Sequence, residues 1–84
     1  MGQQFTVNVL ADQHAKRYEY DDSNRLIYEG WALPQNQRKV KGCWVIARYY
    51  YTGASTNLDA IMFANGDSKT FDKSWSLKTT YTYL

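Results

Sequence analysis

Nine consecutive residues, Cys43-Trp44-Val45-Ile46-Ala47-Arg48-Tyr49-Tyr50-Tyr51, restrict what this chain can fold into more than any other stretch. Apart from Arg48 they are β-branched, aromatic or small, the types that fit a pleated strand. Successive side chains of a strand point to opposite faces. Trp44, Ile46 and Tyr50 therefore share one face with Arg48, and Cys43, Val45, Ala47, Tyr49 and Tyr51 share the other. Both faces are largely apolar. Such a strand is ordinarily covered by helices on its second face, and no segment here has the length for one. Cover must come from the chain's own aromatic residues or from a partner. We expect a partner to cover the face that carries Tyr49 and Tyr51.

The remaining chain reads as short strands separated by turns. Phe5-Thr6-Val7-Asn8-Val9 alternates apolar and polar residues, as a half-buried strand does. Ala11 to Lys16 is the only plausible helical turn. Strands are expected at Arg17 to Tyr20 and Arg25 to Leu33, joined by Asp21-Asp22-Ser23-Asn24, whose side chains favour turns by bonding their own backbone. Pro34 ends the second of these, having no N–H to give to a ladder, and Gln35 to Gly42 is a polar, exposed connection. After Cys43 to Tyr51, the turn Thr52 to Asn57 leads into a strand at Leu58 to Ala64. Asn65-Gly66 is a preferred type I′ hairpin pair, leading into Lys69-Thr70-Phe71. Leu77 to Leu84 is expected as a last strand with Leu77, Thr79, Tyr81 and Tyr83 on one face. The expected fold is all-β: a single domain over residues 1–84, a small antiparallel barrel or sandwich of about six or seven short strands. Trp44, Ile46, Ile61, Phe63, Phe71 and Trp75 are the core candidates, and Arg48 is expected to meet Glu29 or Asp72, since an unpaired charge in an apolar row is costly. Gly30 and Gly66 are read as backbone positions, the second needing a positive φ.

A chain of 84 residues is close to the size below which folds need a staple. Cys43, the only cysteine, cannot form an internal disulfide, and one Cys with one His falls short of a structural zinc set. Stability then rests on aromatic packing or on subunit contacts. Phe, Trp and Tyr make up 17% of the residues, and tyrosine and tryptophan suit interiors and interfaces alike. Tyr18, Tyr20 and Trp31 join Tyr49 and Tyr51 as candidate interface residues.

Several function classes are weakened by the same reading. The net charge of +2 is too nearly balanced for a typical nucleic-acid binder. The basic cluster Arg38-Lys39-Val40-Lys41 reads as a solvated loop. The alternative to a protein-contact module is a small nucleic-acid-binding β-barrel, in which Tyr18, Tyr20, Trp31, Tyr49 and Tyr50 would stack bases and Arg38, Lys39 and Lys41 would meet phosphates. No apolar run reaches the ~18 residues of a membrane span. No signal peptide is read at the start, so synthesis is expected in the cytoplasm, and Met1-Gly2 with Thr6 matches a myristoylation pattern only by a short and common motif.

No constellation for catalysis emerges. His14 has no nucleophile near it in sequence and reads as a solvated surface residue. Asp21, Asp22, Glu29, Asp59, Asp67 and Asp72 are the carboxylates considered for general acid–base work, and Asp21, Asp22 and Asp67 are explained by their turns. The five glycines are scattered singly, so a phosphate-cradling loop is excluded. We expect no enzyme activity, no catalytic or metal-binding residue and no cofactor.

The ordered set Tyr28-Glu29-Gly30-Trp31-Ala32-Leu33-Pro34, Cys43-Trp44-Val45-Ile46-Ala47-Arg48-Tyr49, Ile61-Met62-Phe63-Ala64-Asn65-Gly66, Phe71-Asp72-Lys73-Ser74-Trp75 and Tyr81-Thr82-Tyr83 resembles a group of small all-β proteins encoded among the structural genes of tailed bacteriophages. The resemblance runs from about Arg25 to Tyr83. It departs from the usual pattern at Trp31, after Pro34 and after Trp75. It implies a virion component (head decoration, neck, tail or fibre) present in many copies and held by contacts with other virion proteins and with itself. It brings no catalytic residues.

Overall fold

The computed structural model describes residues 14–84. They form one open antiparallel sheet of four strands in the order β1-β2-β3-β4: β1 Ala15–Tyr20, β2 Leu26–Ala32, β3 Val45–Tyr51 and β4 Leu58–Phe63. All four were expected within a residue or two, except that Ala15 and Lys16 belong to β1 and not to a helical turn. Ala15 is buried opposite Ala32, and that burial draws the end of the expected turn into the ladder. Residues 11–13 of the turn, and the strand expected at Phe5 to Val9, lie outside the described residues.

The two end-to-end hairpins are set by their turns. The Asp21 carboxylate accepts the Ser23 and Arg25 backbone N–H groups at 2.9 Å each, and Asn24 adopts a positive φ of 63°. The second turn, between β3 and β4, is closed by the Thr52 N–H on the Asn57 carbonyl at 3.2 Å. Arg25 ties both turns together, its Nε on Asp21 at 2.8 Å and its Nη1 on the Gly53 and Ser55 carbonyls at 3.0 Å each.

Beyond β4 the chain departs from expectation. Asn65 and Gly66 take positive φ values of 54° and 72°, as a type I′ turn requires. No strand follows at Lys69 to Phe71. The Asp67 carboxylate takes the Lys69 and Thr70 N–H groups at 2.8 and 2.9 Å, which turns the backbone away, and the place beside Phe63 and Ala64 goes to Leu84 and Tyr83. The last strand is likewise replaced over most of its length: Trp75–Thr80 is a 3₁₀ segment. Two tyrosine hydroxyls hold it, that of Tyr81 accepting the Ser74 N–H at 2.8 Å and that of Tyr83 donating to the Lys78 carbonyl at 2.6 Å. Leu77 is therefore exposed and does not share a buried face with Tyr81 and Tyr83. Among the described residues there are four strands, not six or seven, and they close into no barrel and meet no second sheet.

The core lies on one face of this sheet. Tyr28 and Gly30 of β2 are in register with Arg48 and Ile46 of β3, Ala32 of β2 stands opposite Ala15 of β1, and Trp44, just before β3, forms an isolated bridge with Lys73. Trp75, Tyr81, Tyr83 and Val40 pack over this face. The covering layer that no helix supplies is thus an irregular, aromatic C-terminal segment. Trp44, Ile46 and Trp75 are buried as expected; Ile61 is 44% exposed, because its register opposite Tyr49 puts it on the other face.

Candidate interaction face

The other face of the sheet carries every residue singled out as a candidate contact. Register pairs Lys16 with Trp31 and Tyr18 with Glu29 between β1 and β2, and Glu29 with Ala47 and Trp31 with Val45 between β2 and β3. Ala47 and Tyr49 stand opposite Phe63 and Ile61 of β4. Tyr18, Tyr20, Trp31, Tyr49 and Tyr51 thus share one side with Ile61 and Phe63. Tyr18 and Tyr20 are 49% and 55% exposed, with ring centroids 6.5 Å apart.

Within the set the tyrosines differ in kind. The Tyr49 hydroxyl donates to Glu29 Oε1 at 2.6 Å, and Glu29 itself is buried. Burial first, and then the carboxylate that holds its proton, push the Tyr49 hydroxyl up to about 12. The Tyr51 hydroxyl donates to the Leu26 carbonyl at 2.7 Å, and the Arg25 guanidinium stands 5.0 Å above its ring. These two are half-buried parts of the sheet. Tyr18 and Tyr20 offer hydroxyls with no intrachain bond among the described residues.

At the opposite end of the face lies a cleft of about 260 Å³ lined by His14, Trp31, Val45, Phe63, Ser68 and Phe71. His14 is half-buried with its ring stacked on Phe71, centroids 5.8 Å apart and planes 7° from parallel, not the free surface histidine expected. Trp31 packs on Phe63 at 6.2 Å. Phe63 and Phe71 therefore line this cleft and do not belong to the main core. Period-two counting from Tyr49 across β4 would have found Phe63 and Ile61; nothing in the sequence pairs His14 with Phe71.

Of the aromatic residues considered for nucleic acid, Tyr18, Tyr20, Trp31 and Tyr49 lie on this same face and Tyr50 does not. Tyr50 points to the covered face with Arg48, and Arg38, Lys39 and Lys41 are exposed in the β2–β3 connection, where the Lys39 carbonyl takes the Trp44 indole N–H at 2.7 Å. Among the described residues no group of three His, Cys, Asp or Glu side chains is placed to hold a metal ion, and no helix is long and apolar enough to cross a membrane. No family model, curated protein or solved structure matches the chain.

Proposed function

We propose that this chain is a structural or assembly protein of a tailed-bacteriophage particle, without enzymatic activity, that works by binding neighbouring protein subunits, further copies of itself among them. The observation that carries the protein-contact part is the open sheet face: Tyr18, Tyr20 and Ile61 are exposed on it, and an aromatic cleft of about 260 Å³ opens at its other end. Exposed apolar side chains grouped on a sheet face are a feature of protein contact sites, and buried aromatic anchors in pockets dominate protein interfaces. In this reading a neighbouring subunit supplies the second layer that an open sheet lacks, so the two-layer sandwich forms between chains. The virion assignment rests on the resemblance of the Tyr28–Pro34, Cys43–Tyr49, Ile61–Gly66 and Phe71–Trp75 segments to small phage proteins.

Mass spectrometry of gradient-purified particles of the encoding phage tests the assignment. We expect the chain in the particles at many copies. Its absence from intact particles, together with submicromolar binding of single-stranded DNA lost on changing Arg38, Lys39 and Lys41 to Glu, would replace this reading with the nucleic-acid one. Non-specific nucleic-acid binding alone is expected no tighter than about 10⁻⁶ M at physiological salt.

A further inference from the structure

One cross-strand row, Glu19–Tyr28–Arg48–Met62, spans all four strands on the covered face. Arg48 was expected to meet Glu29 or Asp72. It meets neither: Glu29 lies on the other face under Tyr49, and Asp72 pairs with Lys73. The Arg48 guanidinium is instead held between two rings, 4.9 Å from the Tyr28 centroid and 5.1 Å from that of Tyr50. Stacking uses the flat faces of a guanidinium and leaves its N–H edge unspent. Among the described residues Arg48 makes no ion pair and no side-chain hydrogen bond, and none of its nitrogens is both shut off from solvent and unpartnered. Arg25 is the contrast: it also lies on a tyrosine, but its N–H groups are spent on Asp21 and two carbonyls.

We propose that the N–H edge of Arg48 receives a carboxylate from an acidic side chain of a partner polypeptide, a proposal that rests on the protein-contact reading for the nature of the partner. The planar fork fits a carboxylate through two parallel hydrogen bonds, and the two rings hold that fork in place before the partner arrives. The surrounding charge sets the ligand class. Lys78 faces this region from the C-terminal segment, 5.8 Å from the Tyr28 ring, and is paired with Glu19 at 2.9 Å. The Tyr83 hydroxyl nearby is committed to the Lys78 carbonyl. Arg48 and Lys78 against Glu19 leave one net positive charge, which a single carboxylate neutralises. A nucleic-acid backbone, which binds through several phosphates at once, would meet Glu19 with too few cations.

The test is a side-chain nitrogen NMR titration of the full chain with sodium acetate, against sodium chloride at matched ionic strength. Acetate is expected to shift the Arg48 Nε–H and the Tyr28 and Tyr50 ring signals along a saturating curve, with chloride and Arg25 showing no such curve. Arg48→Lys keeps the charge without the fork and is expected to weaken the acetate response at least about tenfold, with an amide spectrum that reports a folded domain. Equal, non-saturating responses to acetate and chloride in the wild-type chain would overturn the site. An oligothymidylate shifting the same signals at a tenth of the acetate concentration or less would overturn the carboxylate assignment in favour of phosphate. Tyr18 and Tyr20 lie on the opposite face, so failure here leaves the open-face interface standing, and loss of that interface leaves the acetate result unchanged.

Discussion

Gly30 lies so close under the Trp75 indole that a methyl group on its Cα would stand 2.9 Å from two ring carbons of Trp75 and 3.1 Å from one of Trp44. The two indoles are themselves in contact, their ring centroids 6.1 Å apart. Glycine at this position is what lets the irregular C-terminal segment rest on the sheet. Gly30→Ala is expected to destabilise the domain by about 1–3 kcal/mol through overpacking, and Trp75→Ala by about 3–5 kcal/mol through the cavity it leaves. Urea unfolding followed by tryptophan fluorescence and circular dichroism measures both; a Gly30→Ala protein as stable as wild type would show that the indole moves aside freely.

Removing the Tyr49 hydroxyl strands a carboxylate. Among the described residues Glu29 has no other hydrogen-bond donor, and it is only 8% exposed. Tyr49→Phe is expected to cost about 1–3 kcal/mol at neutral pH, the range for a buried group left unsatisfied. Glu29→Gln is expected to cost less, because the amide oxygen can still accept from the hydroxyl.

Alkaline pH probes the same pair. The Tyr49 hydroxyl ordinarily titrates at 10.0 and is held at about 12 in the fold. The folded state keeps this proton longer than the unfolded chain does. Its contribution to stability is therefore complete below pH 10 and is lost as pH rises from about 10 to 12. Denaturation curves across that window, with phenolate absorbance recorded in parallel, should show the loss in wild type and a smaller one in Tyr49→Phe.

Acid acts through Asp67. The Lys69 and Thr70 N–H groups, in that order, lower its carboxyl from 3.8 to about 2. A depressed carboxylate stabilises the fold above its unfolded value and loses that contribution as pH falls from about 4 to 2. Asp67→Asn should flatten this part of the pH–stability curve, and the chemical shift of the Asp67 carboxyl carbon should place its midpoint well below that of an ordinary aspartate.

Local chemistry made most of the sheet legible. The Asp21–Asn24 and Asn65-Gly66 turns and the alternation along β2, β3 and β4 depend on neighbours in sequence, and they stand close to where the residues put them. What escaped reading depends on contacts between distant segments. The alternation of Leu77, Thr79, Tyr81 and Tyr83 reads as a strand, yet the Tyr81 and Tyr83 hydroxyls bind backbone groups seven and five residues back and coil the segment over the core. Val40, in a stretch that reads as exposed, packs on the core and accepts the Trp75 N–H at 2.6 Å. Period two puts the five candidate contact residues on one side of their strands, and the register keeps them on one face of the sheet, whereas the His14–Phe71 wall of the cleft joins residues with no shared pattern.

The open face is tested most directly by sedimentation velocity on the wild-type chain and on a Tyr18→Ser, Tyr20→Ser double variant, with circular dichroism as the control for folding. Both side chains are about half exposed and carry no intrachain hydrogen bond among the described residues, so the variant should keep its fold, unlike changes at Tyr49 or Tyr51. Truncating an interface aromatic commonly costs about 2 kcal/mol, near thirtyfold in affinity. If the proposed virion role holds, the wild-type protein self-associates or co-sediments with the phage particles, and the folded double variant does so at least about thirtyfold more weakly. A wild-type chain that stays monomeric at high concentration and leaves the particles unbound would contradict the account.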